Sequence, residues 1–257
     1  MICYPSLEDA TPLIVAGPPR SGTRFVTNVL NSVPWVTIQG EIPTPIMSSV
    51  IHLLDQADNV FTKNGKAAWQ KNWQATKRDL MFALSGNLTK GSRIQSEEVC
   101  LYYGYKTPNH EHYFDIYNKF FHPIRPKYIC CVRSFTEHFL SVKARWPQRS
   151  IMSVSKRYVK SLQQIRHMKN QRPNDVCIFI LDRYIDMGMG HLLNNVFYPL
   201  GLDDVGQALD KAGQGPVNTS DQLGVQRQRE VTKWQSLFLR AYSRPEREFQ
   251  RISSEFG

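Results

Sequence analysis

Short apolar runs alternating with amphipathic stretches predict an α/β domain: one central parallel β-sheet flanked by helices. Three observations carry that expectation. Leu13-Ile14-Val15-Ala16, Tyr128-Ile129-Cys130-Cys131-Val132 and Val176-Cys177-Ile178-Phe179-Ile180-Leu181 are short and almost wholly apolar, the pattern of strands covered on both faces. A stretch of helical periodicity follows each run, as parallel strands require for their crossovers. The first run also feeds a turn holding two glycines, Gly17 and Gly22. The chain of 257 residues suits a single domain spanning 1–257, and no internal repeat is visible.

Element by element, the first strand is bounded by Pro12 and Gly17. Phe25, Val26, Val29, Leu30 and Val33 then repeat at helical spacing until Pro34 stops the helix. Val36-Thr37-Ile38 predicts a second strand that ends at Gln39-Gly40-Glu41. Residues 46–84 read as helical with a polar middle, 100–105 as an aromatic-rich strand, and 111–121 as a helix. After the strand at 128–132, helices are expected over 134–146 and 151–169. After the strand at 176–181, a helix over 189–200 closes at Gly201. Residues 203–224 read as a mobile loop, and 231–249 as a last helix interrupted near Pro245.

Composition narrows the function classes. Lys and Arg number 32 against 22 Asp and Glu, a net charge of +10, and 41% of residues are apolar. That is enough for a core and excludes a disordered chain; Gly 15 and Pro 15 exclude a collagen-like one. No run of 18 apolar residues occurs, so no membrane span is expected. The first residues carry Glu8 and Asp9 without a basic region ahead of an apolar one, unlike a secretory signal, and the expected compartment is cytoplasmic. Cys3, Cys100, Cys130, Cys131 and Cys177 form no CxxC pair, so they read as small core residues and no metal is expected. Thirteen basic residues lie from Lys119 to Arg172 with only Glu137 opposing them. Such a block suits either solvated helix faces or a polyanion. No nucleic-acid motif accompanies it, so no nucleic-acid partner is expected. The sequence leaves the oligomeric state open.

The chemistry concentrates at the glycine turn. A strand, a glycine loop and a helix make an anion site, because the first N–H groups of the helix have no partner within it and its dipole is positive there. Gly17 and Gly22 have the spacing of the nucleotide-triphosphate loop G-x-x-x-x-G-K-[ST], but Thr23 stands in the Lys position and Arg24 in the position of the magnesium-binding hydroxyl. The cation lies inside the loop instead, at Arg20. This departure disfavours a P-loop nucleotide kinase or NTPase, the alternative reading, whose transfer step relies on Mg²⁺.

Pro19-Arg20-Ser21-Gly22-Thr23 resembles the 5′-phosphosulfate loop of sulfotransferases that use 3′-phosphoadenosine 5′-phosphosulfate (PAPS). A second match is Arg133 at the end of a strand with Ser141 eight residues on. In that family such a pair clamps the 3′-phosphate of the donor, and eight residues is about two helical turns, so both side chains can face one anion. Gly104-Tyr105-Lys106-Thr107-Pro108 is similar to the Lys-Ser/Thr-Pro segment of the glycan-type branch. The stretch from Ile180 to Met187, followed by Leu200-Gly201-Leu202, is similar to the family's Tyr-Glu-Asp-Leu…Leu-Gly-Leu segment, with Ile185 departing at the Glu position. The resemblance spans residues 13–202 and lies closer to the glycan and tyrosyl type than to the cytosolic phenol type. It implies a P-loop-like nucleotide-binding core, PAPS as co-substrate, and a hydroxyl of a glycan or small molecule as acceptor, with protein tyrosine sulfation as a further acceptor class.

The resemblance also implies roles. Pro19, Arg20, Ser21, Gly22, Thr23 and Arg24 would line the 5′ end of the donor; Arg133 and Ser141 would take its 3′-phosphate. The family's C-terminal 3′-phosphate loop has no clean counterpart, and the segment with Arg227 and Arg229 stands in for it. Glu41 is the expected base, since the family places a catalytic Glu after the second strand; its other reading is a helix cap near Pro43 or Pro45. Lys106 either contacts the transferring group or is a surface residue before a turn. Arg20 is expected to stabilise charge rather than give up a proton. His110, His112 and His138 are the rival bases. Ser21 and Thr23 suit phosphate binding and helix capping alike.

Overall fold

Alternating residues along each strand face opposite sides, and here both sides are apolar, so the sheet must be covered twice. The computed structural model describes residues 10–64, 100–122, 125–203, 205 and 231–257, with 72, 73, 76, 77, 79, 80 and 83. Five strands, β1 (Thr11–Ala16), β2 (Val36–Gln39), β3 (Tyr102–Lys106), β4 (Lys127–Val132) and β5 (Val176–Ile180), form one sheet in the order β2-β3-β1-β4-β5. All four pairings are parallel. Ile14, Ala16, Tyr128, Cys130 and Ile178 pack into one core; Leu13, Val15, Ile129, Cys131, Cys177 and Phe179 pack into the other.

The second core is closed by Val26, Val29 and Leu30 of helix α1 (Thr23–Leu30) and by Leu192, Val196 and Phe197. The first is closed by α2 (Thr44–Asn64), α3 (Phe114–Phe121), α4 (Phe135–Arg145) and α5 (Ile151–Gln171). The short α6 (Leu181–Met187) follows β5 without a loop, and α7 (Met189–Leu192) follows it. After residue 230 come α8 (Lys233–Ala241) and α9 (Arg244–Phe256), the latter packing Phe249 and Ile252 into the first core.

Several boundaries differ from the sequence reading. Residues 110–113 form a 3₁₀ turn ahead of α3, because Asn109 adopts a left-handed φ of 65° and brings the chain back sharply after Pro108. The helix expected over 189–200 holds α geometry only to Leu192, then widens to a π turn at Leu193–Phe197 and tightens at Tyr198–Leu200, where Pro199 enters. The last helix is two helices, with Pro245 in the first turn of α9. The mobile loop expected over 203–224 lies almost wholly outside the described residues; of residues 65–84 in the helix expected over 46–84, only 72, 73, 76, 77, 79, 80 and 83 are described, and these are helical. Cys130, Cys131 and Cys177 are buried, and burial pushes their thiols up, as small core residues require. Among the described residues, no helix is long and apolar enough to cross a membrane.

Candidate functional site

The C-terminal ends of β1, β3 and β4 lie side by side, and the loops leaving them build the site where parallel sheets place ligands. The loop after β1 starts at Gly17, whose φ of 128° suits only glycine and whose Cβ, if present, would collide with the carbonyl oxygen of Cys131 on β4. Arg20 has a φ of 73°, a conformation an arginine adopts at a cost, and the loop closes on Gly22 with a φ of 95°. Gly22 is the N-cap of α1, and no side chain caps that helix. Of the two readings of Ser21 and Thr23, capping is therefore not what they do. The Ser21 hydroxyl is fully buried and has no hydrogen-bond partner, while Thr23 is buried in the first turn. An open helix N-terminus beside an orphaned buried hydroxyl is a ready anion site. Arg24 is exposed on α1.

The strand-end arginine and the helical serine come from the next strand. Tyr158 donates its hydroxyl to the carbonyl oxygen of Arg133, fixing the end of β4. The Arg133 guanidinium donates to Glu137 at 2.8 Å. Ser134 at the start of α4 is held by Asp182, which accepts from its backbone N–H at 2.7 Å and from its hydroxyl at 2.9 Å. Ser141, two turns along α4, accepts from Nε of Arg20 at 3.1 Å. So the β1 loop and the β4–α4 element, 121 residues apart in sequence at that bond, touch directly. Arg227 and Arg229 lie outside the described residues.

Glu41 and Lys106 form the third group. Lys106 ends β3, is 8% exposed, and donates its ammonium to Oε1 of Glu41, whose side chain is 57% exposed. Lys106 is thus a buried cation with a carboxylate partner, not a surface residue. Glu41 engages that ammonium. The Thr107 hydroxyl accepts from the N–H of Ile42 at 3.1 Å, tying the β2 loop to the β3 loop, and the N–H of Thr107 donates to Val15 at 3.0 Å, tying both to β1. These links were not visible in the sequence.

The rival histidines lie elsewhere. His110 is fully buried among Tyr105, Tyr117 and Tyr128, and burial lowers its pKa to about 3. His138 is buried against Tyr158, and burial, then Arg133, lowers its pKa to about 3. Both are held neutral near pH 7. His112 is half-buried and faces Ser161 at 3.4 Å. Much of the basic block serves structure: Arg172 pairs with Asp175 at 2.8 Å, Arg166 with Glu255 at 2.8 Å, and Lys169 donates to two backbone carbonyls at 2.7 Å.

Protein-family models and curated protein sequences give no match to this chain. Among solved structures, the chain is similar to the sulfotransferase domain of the olefin synthase from Synechococcus PCC 7002, with a TM-score of 0.50 and 17% identity, over 85% of this chain and 84% of that one. The fold is that of a sulfotransferase domain. The sheet and helix arrangement, and hence the α/β class expected from the sequence, are shared across that span.

Proposed function

We propose that this chain is a PAPS-dependent sulfotransferase that moves a sulfuryl group to a hydroxyl of a glycan or small-molecule acceptor, by in-line transfer with Glu41 as base. The observation that carries the reading is the Arg20–Ser141 hydrogen bond at 3.1 Å, which joins the β1 cradle to the β4–α4 element. Two anion-binding elements in contact suit a small ligand with two charged ends. The orphaned Ser21 hydroxyl and the uncapped α1 N-terminus fit one end; Arg133 and Ser141 fit the other.

Bound there, PAPS would supply an activated sulfuryl group on a phosphosulfate. Ser21, Thr23 and the loop N–H groups bind its 5′ end. Arg20, permanently charged and able to bond two oxygens, stabilises the negative charge that develops there. Arg133 and Ser141 bind the 3′-phosphate, and that anion competes with Glu137 for the Arg133 guanidinium. Glu41 gives Oε1 to Lys106 and keeps Oε2 to accept the proton of the acceptor hydroxyl. Lys106 fixes that carboxylate in place, and the Thr107 bond to Ile42 fixes the backbone beneath it. A screen of labelled PAPS against pooled sugars, phenols and lipids tests the reading. Label transfer to a hydroxyl acceptor supports it; binding of ATP with Mg²⁺ and turnover of that nucleotide alone would replace it with the NTPase alternative.

A further inference from the structure

Among the described residues, one fully buried carboxylate takes no part in this mechanism. Glu111 sits in the 3₁₀ turn after β3 and is 0% exposed. Its Oε2 accepts from the N–H of Gly17 at 3.1 Å, across 94 residues of sequence. Its Oε1 accepts from the Ser161 hydroxyl on α5. The same turn reaches the loop a second time, because the N–H of Asn109 donates to the carbonyl oxygen of Gly17 at 3.0 Å. Both backbone groups of Gly17 are thereby taken by residues 109–111, and a Cβ at this position would collide with the Cys131 carbonyl oxygen. Gly17 is the residue from which the cradle departs. Turning its peptide plane would swing the loop that carries Arg20 and Ser21.

We propose that Glu111 is a positioning residue for the donor cradle, its buried carboxyl group fixing the loop through the Gly17 N–H while Ser161 anchors it from behind. This rests on the reading that the cradle holds the donor. Burial pushes the Glu111 carboxyl up to about 7 against the bonds from Ser161 and Gly17, so near neutral pH a large share of it is uncharged and its repulsion of an anionic ligand is reduced. The neutral acid preserves both bonds, since its O–H donates to the Ser161 oxygen while the other oxygen still accepts from Gly17. What the site needs is therefore an acceptor at a fixed reach, not a charge.

Glu111→Gln and Glu111→Asp separate those two properties. Gln keeps the reach and removes the charge; Asp keeps the charge and is one methylene short. Two readouts on the full chain are needed: hydrogen exchange of the 17–23 amides without ligand, and titration with adenosine 3′,5′-bisphosphate. E111D is expected to exchange its loop amides about tenfold faster and bind the bisphosphate about tenfold more weakly, with strand amides of β1 and β4 unchanged, whereas E111Q stays within about twofold of the parent in both. Unchanged loop exchange in E111D, or equal damage in E111Q and E111D, overturns the proposal. Should E111D fail to fold, Ser161→Ala removes only the rear anchor, and its loop exchange decides the matter: faster supports the proposal, unchanged overturns it. If the parent protein binds no adenosine bisphosphate, the donor reading fails, and the exchange data still judge Glu111.

Discussion

Replacing Glu111 by Gln should change how stability depends on pH, by an amount that burial sets. Burial raises this carboxyl from the usual 4.5 to about 7. A group whose folded pKa exceeds its unfolded one binds more protons in the folded state, so its stabilising contribution is complete below about pH 4.5 and is lost as pH rises through about 7. At 1.36 kcal/mol per unit, a rise of that size corresponds to about 3 kcal/mol, most of it falling between about pH 5 and about pH 8. Other groups face the same carboxyl. The Cys130 and Cys131 thiols are pushed up by burial and stay neutral in this window, and the pKa of His112 is lowered by burial and by Lys160. Buried His110 and His138, lowered to about 3, oppose Glu111 by losing stability on acidification, but they do so in both proteins. The difference between parent and E111Q isolates Glu111. Urea denaturation at several pH values measures it. The parent should lose about 2–3 kcal/mol relative to E111Q from about pH 5 to about pH 8. Parallel curves would refute the reasoning that burial, rather than the two hydrogen bonds, governs this carboxyl.

Other perturbations test the rest of the site. Glu41→Ala should cut transfer by roughly 10²–10⁴-fold, as expected for a lost base, while binding of adenosine 3′,5′-bisphosphate by calorimetry stays within about twofold; retained activity would remove Glu41 from the reaction. Gly17→Ala meets the Cys131 carbonyl at a φ of 128°, so thermal denaturation should show a loss of about 2–4 kcal/mol together with weakened donor binding. Asp182→Ala leaves the Ser134 N–H and hydroxyl without their acceptor, at a cost of about 1–3 kcal/mol in denaturant titrations, and should loosen the start of α4 that carries Ser141.

The sequence showed the sheet clearly because doubly covered strands leave uninterrupted apolar runs, as in 128–132 and 176–180, and because Gly17 and Gly22 punctuate the first crossover. It showed less where geometry depends on packing. The π and 3₁₀ turns at 193–200 have no local signature beyond Pro199, and the 3₁₀ turn at 110–113 follows from the left-handed Asn109. In the candidate site, Arg20 was singled out by the glycine loop, Glu41 and Lys106 by their places at the ends of strands, and Ser141 by the motif resemblance; the structure brings Arg20 to Ser141 and Lys106 to Glu41 because parallel strands bring their C-terminal ends together. Glu111 was not. Its partner Gly17 is 94 residues away, and a lone acid at the start of a helical stretch reads as solvated. Asp182 escaped for the same reason, since its partner Ser134 is 48 residues distant.

The central claim is that the β1 cradle and the Arg133–Ser141 pair grip two ends of one ligand. The ratio of affinities for adenosine 3′,5′-bisphosphate and adenosine 5′-monophosphate, measured by calorimetry in EDTA, tests it most directly. The parent protein should prefer the bisphosphate by more than about tenfold, and Arg133→Ala or Ser141→Ala should bring the two ligands close to equal. No preference in the parent, or a preference untouched by either substitution, would contradict the account.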